Sequence, residues 1–283
     1  DALTKKDLDD LKTAVALEAD YIAISFPKNA QDILSAKALV KKAGGTASIV
    51  AKIERAEAID NLETLIEASD AIMVARGDLG VEVGDAAVPG LQKRMIRMAR
   101  AQNKLVITAT QMMESMISSP IPTRAEVSDV ANAVLDGTDA VMLSAETASG
   151  QYPLETVQAM HRVCVEAEKE YEGLHPAERR VDRLQHTDEA TAAAAIFTSQ
   201  HFKVKAIAAL TQSGNAAQWL SRADSSVPIY ALSPDKVARR KLTLHRNVFP
   251  FPIEHSGKNR DEILLEMEQV LLNNEAVQAG DTV

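Results

Sequence analysis

Five short apolar runs, each followed by a segment with helical periodicity, constrain the fold of this chain more than any other feature. The runs cover residues 21–26, 48–51, 71–74, 105–110 and 140–145. They begin about 23 to 35 residues apart, which is the length of a strand, a returning helix and two loops. Repeated units of this kind predict an α/β fold with a parallel sheet, either a (β/α)-barrel or a doubly wound sheet.

Helical periodicity predicts the segments that return between these runs. The predicted helices span residues 3–17, 30–42, 56–67, 91–101, 124–134 and 154–170, and a glycine-rich loop is expected before the helix at 91. Because a closed barrel of this class has eight strands, five strands indicate one of two arrangements. The chain forms an open five-stranded sheet, or it forms part of a barrel whose first strands lie outside this sequence.

A polar stretch at residues 170–186, which contains Gly173 and Pro176, predicts a domain boundary. We therefore divide the chain into residues 1–172 and residues 173–283. In the second part the pattern predicts helices at 190–201, 216–222, 235–243 and 261–274, and strands at 204–210, 229–233 and 248–253. Residues 279–283 have the pattern of a turn that enters a further strand.

Composition and charge argue against several classes of protein. With 46% hydrophobic but only 4% aromatic residues, the core must consist mainly of aliphatic side chains. The formal net charge of −9 and the lack of a long basic run argue against a nucleic-acid partner. No apolar stretch reaches the ~18 residues of a membrane span, and residue 1 opens no signal peptide. Cys164 stands alone, which excludes intrachain disulfides and is typical of a cytoplasmic protein.

Two charged residues mark the end of the second apolar run. Lys52 and Glu54 are two residues apart, so in an extended strand their side chains point to the same side of the sheet. If that side is the interior of a barrel, both charges need a counter-charge or a metal ion to offset the cost of burial. The alternative is an exposed strand end that carries a surface ion pair.

Asp78 follows Arg76 and Gly77 just past the third run. Gly77 lets the backbone approach a ligand closely, and consecutive N–H groups there suit a carboxylate or a phosphate. An ordinary Gly-Asp turn explains the same residues. Because Glu54 and Asp78 end neighbouring strands, the two predict oxygen ligands for Mg²⁺, whose other positions go to water and substrate.

Hydroxyl groups occur at three further strand ends. Thr110 ends the fourth run and Ser144 lies in the fifth, where each is a candidate for binding a carboxylate or for a proton relay. Most strand-end hydroxyls only bond to backbone groups, which is the alternative. In the second part, Thr211, Ser213 and Gly214 join a strand to a helix. Their hydroxyls and amides form a candidate phosphate site, with an ordinary Ser-Gly loop as the alternative.

Six sequence blocks resemble the pyruvate kinase family in the order in which that family carries them. The blocks are residues 49–58 (IVAKIERAEA), 73–80 (MVARGDLG), 109–116 (ATQMMESM), 122–126 (PTRAE), 128–137 (SDVANAVLDG) and 142–148 (MLSAETA). The details are similar to bacterial members, and the match spans nearly the whole chain. The resemblance implies about five of the eight strands of a (β/α)8 TIM barrel, followed by a smaller three-layer α/β regulatory domain that is truncated at its end.

This resemblance implies phosphoryl transfer from phosphoenolpyruvate to ADP, which gives pyruvate and ATP in the last step of glycolysis. It implies that Lys52 stabilises the transferring phosphoryl group and the enolate. Glu54 and Asp78 would bind Mg²⁺ or Mn²⁺. In the family, the residues for K⁺ lie on the first strands of the barrel, outside this chain.

The remaining roles follow from the same resemblance. The amides of Gly77 and Asp78 would hold the substrate carboxylate together with Thr110, with Arg76 also at the substrate. Thr110 and Ser144 would join the relay that protonates the enolate. The resemblance further implies a cytoplasmic homotetramer when the protein is intact.

An effector site is implied for the second domain. Many relatives bind a sugar phosphate there through a Ser/Thr-rich loop, which Thr211, Ser213 and Gly214 match and from which Gln212 and Asn215 depart. A nucleotide effector is an alternative. Because the nucleotide-covering β-domain and the first strands of the family lie outside this sequence, we expect the chain to be a fragment that is inactive alone.

Two other functions stay open at this point. One is a Mg²⁺-dependent aldolase or lyase that acts on pyruvate or a phosphoenolpyruvate-like substrate. Lys52 two residues before Glu54, together with the second α/β domain, argues against it. The other is a non-catalytic module that binds phosphorylated metabolites, which ligand-induced thermal shifts without turnover would support.

Overall fold

A parallel sheet with its strands in chain order forms the centre of the first half of the chain. Its strands are β1 (Tyr21–Ile24), β2 (Ser48–Ile53), β3 (Ala71–Ala75), β4 (Leu105–Ala109) and β5 (Ala140–Met142). Neighbours pair in the order β1-β2-β3-β4-β5. The order does not reverse, whereas a doubly wound sheet has a reversal where its two halves meet. The topology is therefore that of part of a barrel, and the predicted α/β class is confirmed.

The computed structural model describes residues 3–174, 186–223, 225, 227–254 and 256–283. The chain divides into two compact units, residues 1–174 and residues 175–283. Much of the polar stretch used to predict the boundary, residues 175–185, lies outside the described residues. The division at residue 172 stays a prediction.

The helices of the first unit return between the strands. They are α1 (Lys5–Ala16), α2 (Ala30–Lys42), α3 (Ala56–Asp60), α4 (Leu62–Ala68), α5 (Arg76–Val83), α6 (Val88–Ala101), α7 (Arg124–Leu135), α8 (Ala145–Ala148) and α9 (Pro153–Leu174). Capping fixes several of their starts. Thr123, for example, accepts from the Glu126 N–H while the Glu126 carboxylate accepts from the Thr123 N–H, a capping box at the start of α7.

Alternation along β2 separates its apolar side chains from its charged ones. Ile49, Ala51 and Ile53 belong to one buried cluster together with the inner faces of α2 and α4. Because successive strand residues point to opposite faces, Lys52 and Glu54 lie on the face away from these helices. Full burial of an isoleucine contributes about 1.5–3 kcal/mol, so the helix-facing residues fix the register and the charged face follows from it.

Aspartates before β3 and β5 accept hydrogen bonds from strand N–H groups at the amino-terminal edge of this sheet. Asp70 Oδ2 accepts from the Ile49 N–H at 2.7 Å, and Asp70 Oδ1 accepts from the Lys37 ammonium at 2.7 Å. In the same way, Asp139 Oδ2 accepts from the Val106 N–H at 2.9 Å. Each carboxylate satisfies an N–H near the start of the neighbouring strand, where the sheet itself supplies no acceptor.

The second unit is a smaller three-layer arrangement. Its strands β6 (Ile207–Leu210), β7 (Ile229–Ser233) and β8 (Val248–Pro252) are parallel and adjacent in that order. Its helices are α10 (Thr187–His201), α11 (Asn215–Arg222), α12 (Lys236–Leu242) and α13 (Arg260–Asn273). One face of the sheet packs in a cluster with α10, α11 and α12, and Met267 and Leu271 of α13 pack with residues of the other face.

Several predicted boundaries in the first unit were wrong. The helix expected at 56–67 is divided at Asn61, whose side-chain amide donates to the carbonyls of Glu57 and Lys28. The fifth run stops being a strand at Met142, because Ser144 has φ −119° and ψ −105° and α8 begins directly after it.

The start of the first strand in the second unit also differs from the prediction. The strand expected from residue 204 begins at Ile207. Residues 279–283 contain the predicted turn and no strand. The Thr282 carbonyl nevertheless accepts from the Lys205 N–H at 2.8 Å, just ahead of β6.

Among the described residues, no helix is both long enough and apolar enough to cross a membrane.

Asp70→Ala tests how much the hydrogen bond from the Ile49 N–H to Asp70 stabilises the amino-terminal edge of the sheet. We expect it to lower the free energy of unfolding by about 1–3 kcal/mol, because the Ile49 N–H loses its acceptor. Asp9→Ala is the control, since it removes only an exposed ion pair with Lys12 and should cost less than about 1 kcal/mol. Urea unfolding followed by circular dichroism measures both. Equal losses in the two variants would contradict the role of Asp70.

Candidate active site

The carboxyl ends of β2 to β5 carry the side chains that the sequence singled out. Lys52 and Glu54 are at the end of β2, Arg76 to Asp78 begin α5, Thr110 follows β4 and Ser144 follows β5. In a parallel sheet these ends share one edge, which is where barrel enzymes build their active sites. Direct contacts join Lys52 with Glu54, and join Thr110 with Arg76 and Gly77.

Glu54 is fully buried and pairs with Lys52. Glu54 has 0% of its surface exposed, whereas 26% of the Lys52 side chain is exposed. The Lys52 ammonium lies 2.6 Å from Glu54 Oε1 and also donates to the Ser25 hydroxyl at 3.1 Å. Because a buried carboxylate without a counter-charge is costly, the ammonium offsets that cost. The alternative of an exposed surface ion pair is therefore wrong.

One carboxylate oxygen of Glu54 has room in its bonding for a further ligand. Oε2 accepts from the Phe26 N–H at 2.8 Å. Oε1 is buried and receives no hydrogen bond from the described residues, because its short contact with Lys52 lacks hydrogen-bond geometry. Divalent cations such as Mg²⁺ take hard carboxylate oxygens of this kind. Glu54 therefore fits the binding of Mg²⁺ or Mn²⁺.

Asp78 is the second carboxylate expected at the cation. It lies exposed in the first turn of α5. The described residues contain no group of three or more His, Cys, Asp or Glu side chains placed for a metal. Mg²⁺ usually keeps several waters and takes substrate phosphates, so two carboxylates suffice for it. That Glu54 and Asp78 share one cation stays a prediction.

Phe26 has an unusual backbone that brings its N–H to Glu54. Its φ is 54°, a left-handed conformation that is rare for bulky residues and costs about 1–3 kcal/mol. The Arg55 guanidinium lies 5.2 Å from the centroid of the Phe26 ring, a cation–π contact. The sequence analysis missed Ser25 and Phe26. The available signal was their position at the end of the run that neighbours Lys52.

The segment after β3 is helical, so the predicted glycine-rich loop is wrong. Arg76, Gly77 and Asp78 form the first turn of α5, where backbone N–H groups have no partner inside the helix. A Cβ added to Gly77 would lie 3.7 Å from Thr110 Oγ1, an ordinary contact. The fold does not demand glycine there, and the close approach of a ligand to Gly77 stays a prediction.

Thr110 links the end of β4 to this helical turn. Its hydroxyl accepts from the Gly77 N–H at 2.9 Å and donates to the Ala109 carbonyl at 2.6 Å. Thr110 and Gln111 have φ values of 69° and 55°. Positive φ in a β-branched residue is a strained conformation, of the kind that clusters at functional sites. The surrounding hydrogen bonds hold the strained segment in place.

Arg76 holds the backbone of Thr110 through a hydrogen bond to its carbonyl. Only 8% of Arg76 is exposed, and its Nη1 donates to both carboxylate oxygens of Asp129 at 2.6 and 2.7 Å. Its Nη2 donates to the Thr110 carbonyl at 2.6 Å. A direct contact of Arg76 with substrate stays a prediction, and these contacts favour a role in positioning Thr110. Asp129, on α7, was not singled out from the sequence.

Glu146 connects the segments after β4 and β5. It is 3% exposed, and its carboxylate accepts from the Ser144 N–H at 2.6 Å and from the Met113 N–H at 3.3 Å. The backbone of Ser144 is therefore tied to the segment that follows Thr110. Glu146 lies in the sequence block at residues 142–148 and was given no role from the sequence.

Glu126 fastens the same segment to the start of α7. Its carboxylate accepts from the N–H and the hydroxyl of Ser115 at 2.7 and 2.6 Å, and from the Thr123 N–H at 2.7 Å. Burial raises the pKa of Glu126, but the hydrogen bonds from Ser115 and Thr123 outweigh it and leave that pKa below its ordinary value. Its contribution to stability is thus present above the ordinary pKa of glutamate and is lost as the pH falls through the lowered value.

The candidate phosphate loop lies between β6 and α11 in the second unit. The Thr211 hydroxyl accepts from the Gly214 N–H at 3.0 Å, and Gly214 has φ 92°, which suits glycine. Ser213 is exposed. Asn215 donates from its side chain to Asp188 at 2.5 Å, which places an acidic group beside the loop. Phosphate binding by Thr211, Ser213 and Gly214 stays a prediction.

Comparison with known proteins gives a family for both units. Residues 1–157 match the family model described as pyruvate kinase, barrel domain, and residues 189–283 match the one described as pyruvate kinase, alpha/beta domain. The chain belongs to the pyruvate kinase family. The resemblance noted from the six sequence blocks is thereby confirmed.

Individual pyruvate kinases are similar over nearly all of the chain. The pyruvate kinase of Buchnera aphidicola subsp. Schizaphis graminum is 50% identical over 98% of this chain and 60% of its own length. Pyruvate kinase II of Salmonella typhimurium is 52% identical over 96% of this chain and 57% of its own length. The chain thus spans less than two thirds of these relatives, so the reaction of a whole pyruvate kinase is a proposal for it.

Substitutions at Thr110 separate the contribution of its hydroxyl to stability from the effect of its strained backbone. We expect Thr110→Val to lower the free energy of unfolding by about 1–3 kcal/mol, because the Gly77 N–H loses its acceptor. Thr110→Ser keeps the hydroxyl and removes the β-branch, so its stability should equal or exceed that of the parent. Thermal and urea unfolding of both variants check this. Equal destabilisation by Ser and Val would show that the hydroxyl is not what holds the segment.

Proposed function

We propose that the full-length protein carrying this chain is a pyruvate kinase, which transfers the phosphoryl group of phosphoenolpyruvate to ADP and yields pyruvate and ATP. The observation that carries the proposal is the buried Glu54 carboxylate, paired with Lys52 and left with one oxygen without a hydrogen bond. It stands at a strand end of a chain that belongs to this family. The aldolase and the binding module have no comparable support.

Lys52 supplies the charge that the reaction needs. Its side chain is partly exposed while the side chain of its partner Glu54 is fully buried, so Lys52 is the member of the pair that a ligand can reach. A fixed positive charge stabilises the transferring phosphoryl group and the enolate more than it stabilises the substrate. Its contact with Ser25 limits the movement of this charge before the substrate binds.

Glu54 and Asp78 would hold the divalent cation, Mg²⁺ or Mn²⁺. When bound, the cation neutralises charge on phosphoryl and enolate oxygens. Glu54 is suited to this by Oε1, which pairs with the Lys52 ammonium and receives no hydrogen bond from the described residues, and Asp78 by its exposed position in the first turn of α5. Lys52 stays beside Glu54, so the positive charges gather on one side of the reacting group.

The first turn of α5 and Thr110 would bind the substrate carboxylate. The N–H groups of Gly77 and Asp78 lie at the positive end of the α5 helix dipole, which favours an anion. The Gly77 N–H now donates to the Thr110 hydroxyl, which donates to the Ala109 carbonyl, so both donors would turn from these partners to the carboxylate when the substrate binds. Orienting the carboxylate from this side presents the rest of phosphoenolpyruvate to Lys52.

The enolate left after phosphoryl transfer must gain a proton at carbon to become pyruvate. We assign the relay for this proton to the hydroxyls of Thr110 and Ser144, with water as the final donor. Glu146 supports the assignment, since it ties the Ser144 backbone to the segment that follows Thr110.

Further properties of the intact protein are proposed on the family relationship. K⁺ would bind to residues outside this chain, and a sugar-phosphate or nucleotide effector would bind at Thr211, Ser213 and Gly214. We also propose a homotetramer that acts in the cytoplasm, where glycolysis takes place.

Lys52→Met tests the role of the ammonium. In the full-length protein we expect turnover to fall by at least about 100-fold with little change in KM, because the charge acts mainly in the transition state. Lys41→Met, an exposed lysine of α2, is the matched control and should keep full turnover. A coupled assay for pyruvate measures both. If Lys52→Met keeps more than about a tenth of the turnover, a loss under ~1.4 kcal/mol, the role is wrong.

Residues 1–283 alone should form no ATP from phosphoenolpyruvate and ADP. The relatives are longer, and the family resemblance implies that the residues for phosphate and nucleotide lie in the part that this chain does not cover. Losing the positioning of a substrate removes about 7 kcal/mol or more of rate acceleration. The assay uses protein purified free of host enzyme. Turnover close to that of a typical kinase would contradict the expectation.

A further inference from the structure

Arg55, the residue after Glu54, contacts the edge of the candidate site. Its guanidinium lies 5.2 Å from the centroid of the Phe26 ring. Its Nε is buried and has no hydrogen-bond partner among the described residues. This part of the side chain is therefore held by its contact with the ring and not by a hydrogen bond at Nε.

Phe26 is the other half of this contact. Phe26 is 41% exposed and its φ is 54°, so a bulky apolar residue combines limited burial with a disfavoured backbone. Its N–H still reaches Glu54 Oε2 at 2.8 Å. A guanidinium over an aromatic face is attractive, so Arg55 helps to hold Phe26 in the conformation that makes this hydrogen bond.

Arg55 and Glu54 are adjacent in the chain, and both reach the segment after β1. Glu54 binds the backbone of Phe26 and Arg55 covers its ring. Lys52 also donates to the neighbouring Ser25. Three contacts from the end of β2 thus fix this segment, and only the contact through Arg55 lies outside the proposed chemistry.

We propose that Arg55 and Phe26 form a positioning pair for the metal-binding carboxylate, an inference that rests on the proposed function. By covering Phe26, Arg55 keeps the Phe26 N–H on Oε2 of Glu54, so that Oε1, beside the Lys52 ammonium, is the oxygen that would take the divalent cation. Arg55 acts through Phe26 and Glu54. It is a positioning residue that touches neither the cation nor the substrate.

Loss of the Arg55 charge and loss of its contact with Phe26 have opposite expected effects on the affinity for the divalent cation. The positive charge of Arg55 repels a divalent cation at Glu54, so loss of the charge alone would tighten binding. Loss of the ring contact releases the Phe26 N–H and weakens binding. Arg55→Met removes the charge and the planar group but keeps an unbranched side chain. The direction of the change in affinity therefore identifies the effect.

The experiment measures Mn²⁺ binding to the full-length protein by electron paramagnetic resonance, without substrate or turnover. We expect Arg55→Met and Phe26→Leu each to raise the Kd for Mn²⁺ by about tenfold, as the loss of groups that orient metal ligands usually does. Combining the two changes should add little, because both remove the same contact. Phe26→Tyr keeps the ring and should rescue the affinity. Glu54→Gln, which removes the ligand charge, serves as the reference for a lost site.

Arg94→Met is the matched control for the loss of an arginine. Arg94 is exposed on α6, and its removal should leave the Kd for Mn²⁺ unchanged. Thermal unfolding establishes that each variant is folded. If Arg55→Met does not fold, the comparison of Phe26→Leu with Phe26→Tyr decides, and equal Mn²⁺ affinities for these two overturn the proposal.

Other outcomes also overturn it. One is a Kd for Mn²⁺ in folded Arg55→Met that equals or falls below that of the parent. Another is a change in Arg55→Met that is confined to a higher KM for phosphoenolpyruvate, which would make Arg55 a substrate ligand. Equal Mn²⁺ binding by Glu54→Gln and the parent does the same, since the cation would then lie elsewhere. Failure of the proposed function is separate. A parent protein that binds Mn²⁺ but forms no ATP contradicts the reaction, while weaker binding in Arg55→Met still supports the pair.

Discussion

A carboxylate without exposed surface, at the end of a parallel strand, is the constraint on which the rest of the site depends. Burial of Glu54 is tolerable because Lys52 lies 2.6 Å away and the Phe26 N–H donates to its second oxygen. Each partner is itself constrained, since the Lys52 ammonium donates to the Ser25 hydroxyl and Phe26 adopts a left-handed backbone conformation. The conformation of the loop after β1 is therefore determined by contacts with Glu54, the residue that follows β2.

The next two strands repeat this pattern with the ion pair of Arg76 and Asp129 and with hydrogen bonds to Thr110. The strained backbone of Thr110 is held by the Gly77 N–H and by the Arg76 guanidinium, which itself requires the Asp129 carboxylate. Strain of this kind persists only where several neighbours fix it at once. The opposite edge of the sheet is simpler. There, Asp70 and Asp139 each bind a strand N–H and carry no comparable strain.

The sequence was sufficient for those features that depend on local periodicity. The spacing of apolar runs predicted the parallel strands, and alternation along β2 predicted that Lys52 and Glu54 share a face. Features that arise from contacts between distant residues were not predictable in this way. Gly77 and Gly80 each disfavour a helix by about 1 kcal/mol, so the sequence predicted a loop where α5 lies. The contact of Gly77 with Thr110, which is distant in the sequence, is not visible in local periodicity. Phe26 gave no signal for positive φ, which glycine or asparagine normally marks.

The bonds of Arg76 have a consequence for how the first unit opens. One guanidinium joins the start of α5, the end of β4 and helix α7, so no one of these elements can separate without exposing a buried charge. Local opening in this region must therefore be concerted. Amides of α5, β4 and α7 should exchange their hydrogens with solvent as one cooperative group, whereas α2 and the loop after β1 make no bond to Arg76 in the described structure and are not joined to this group by it.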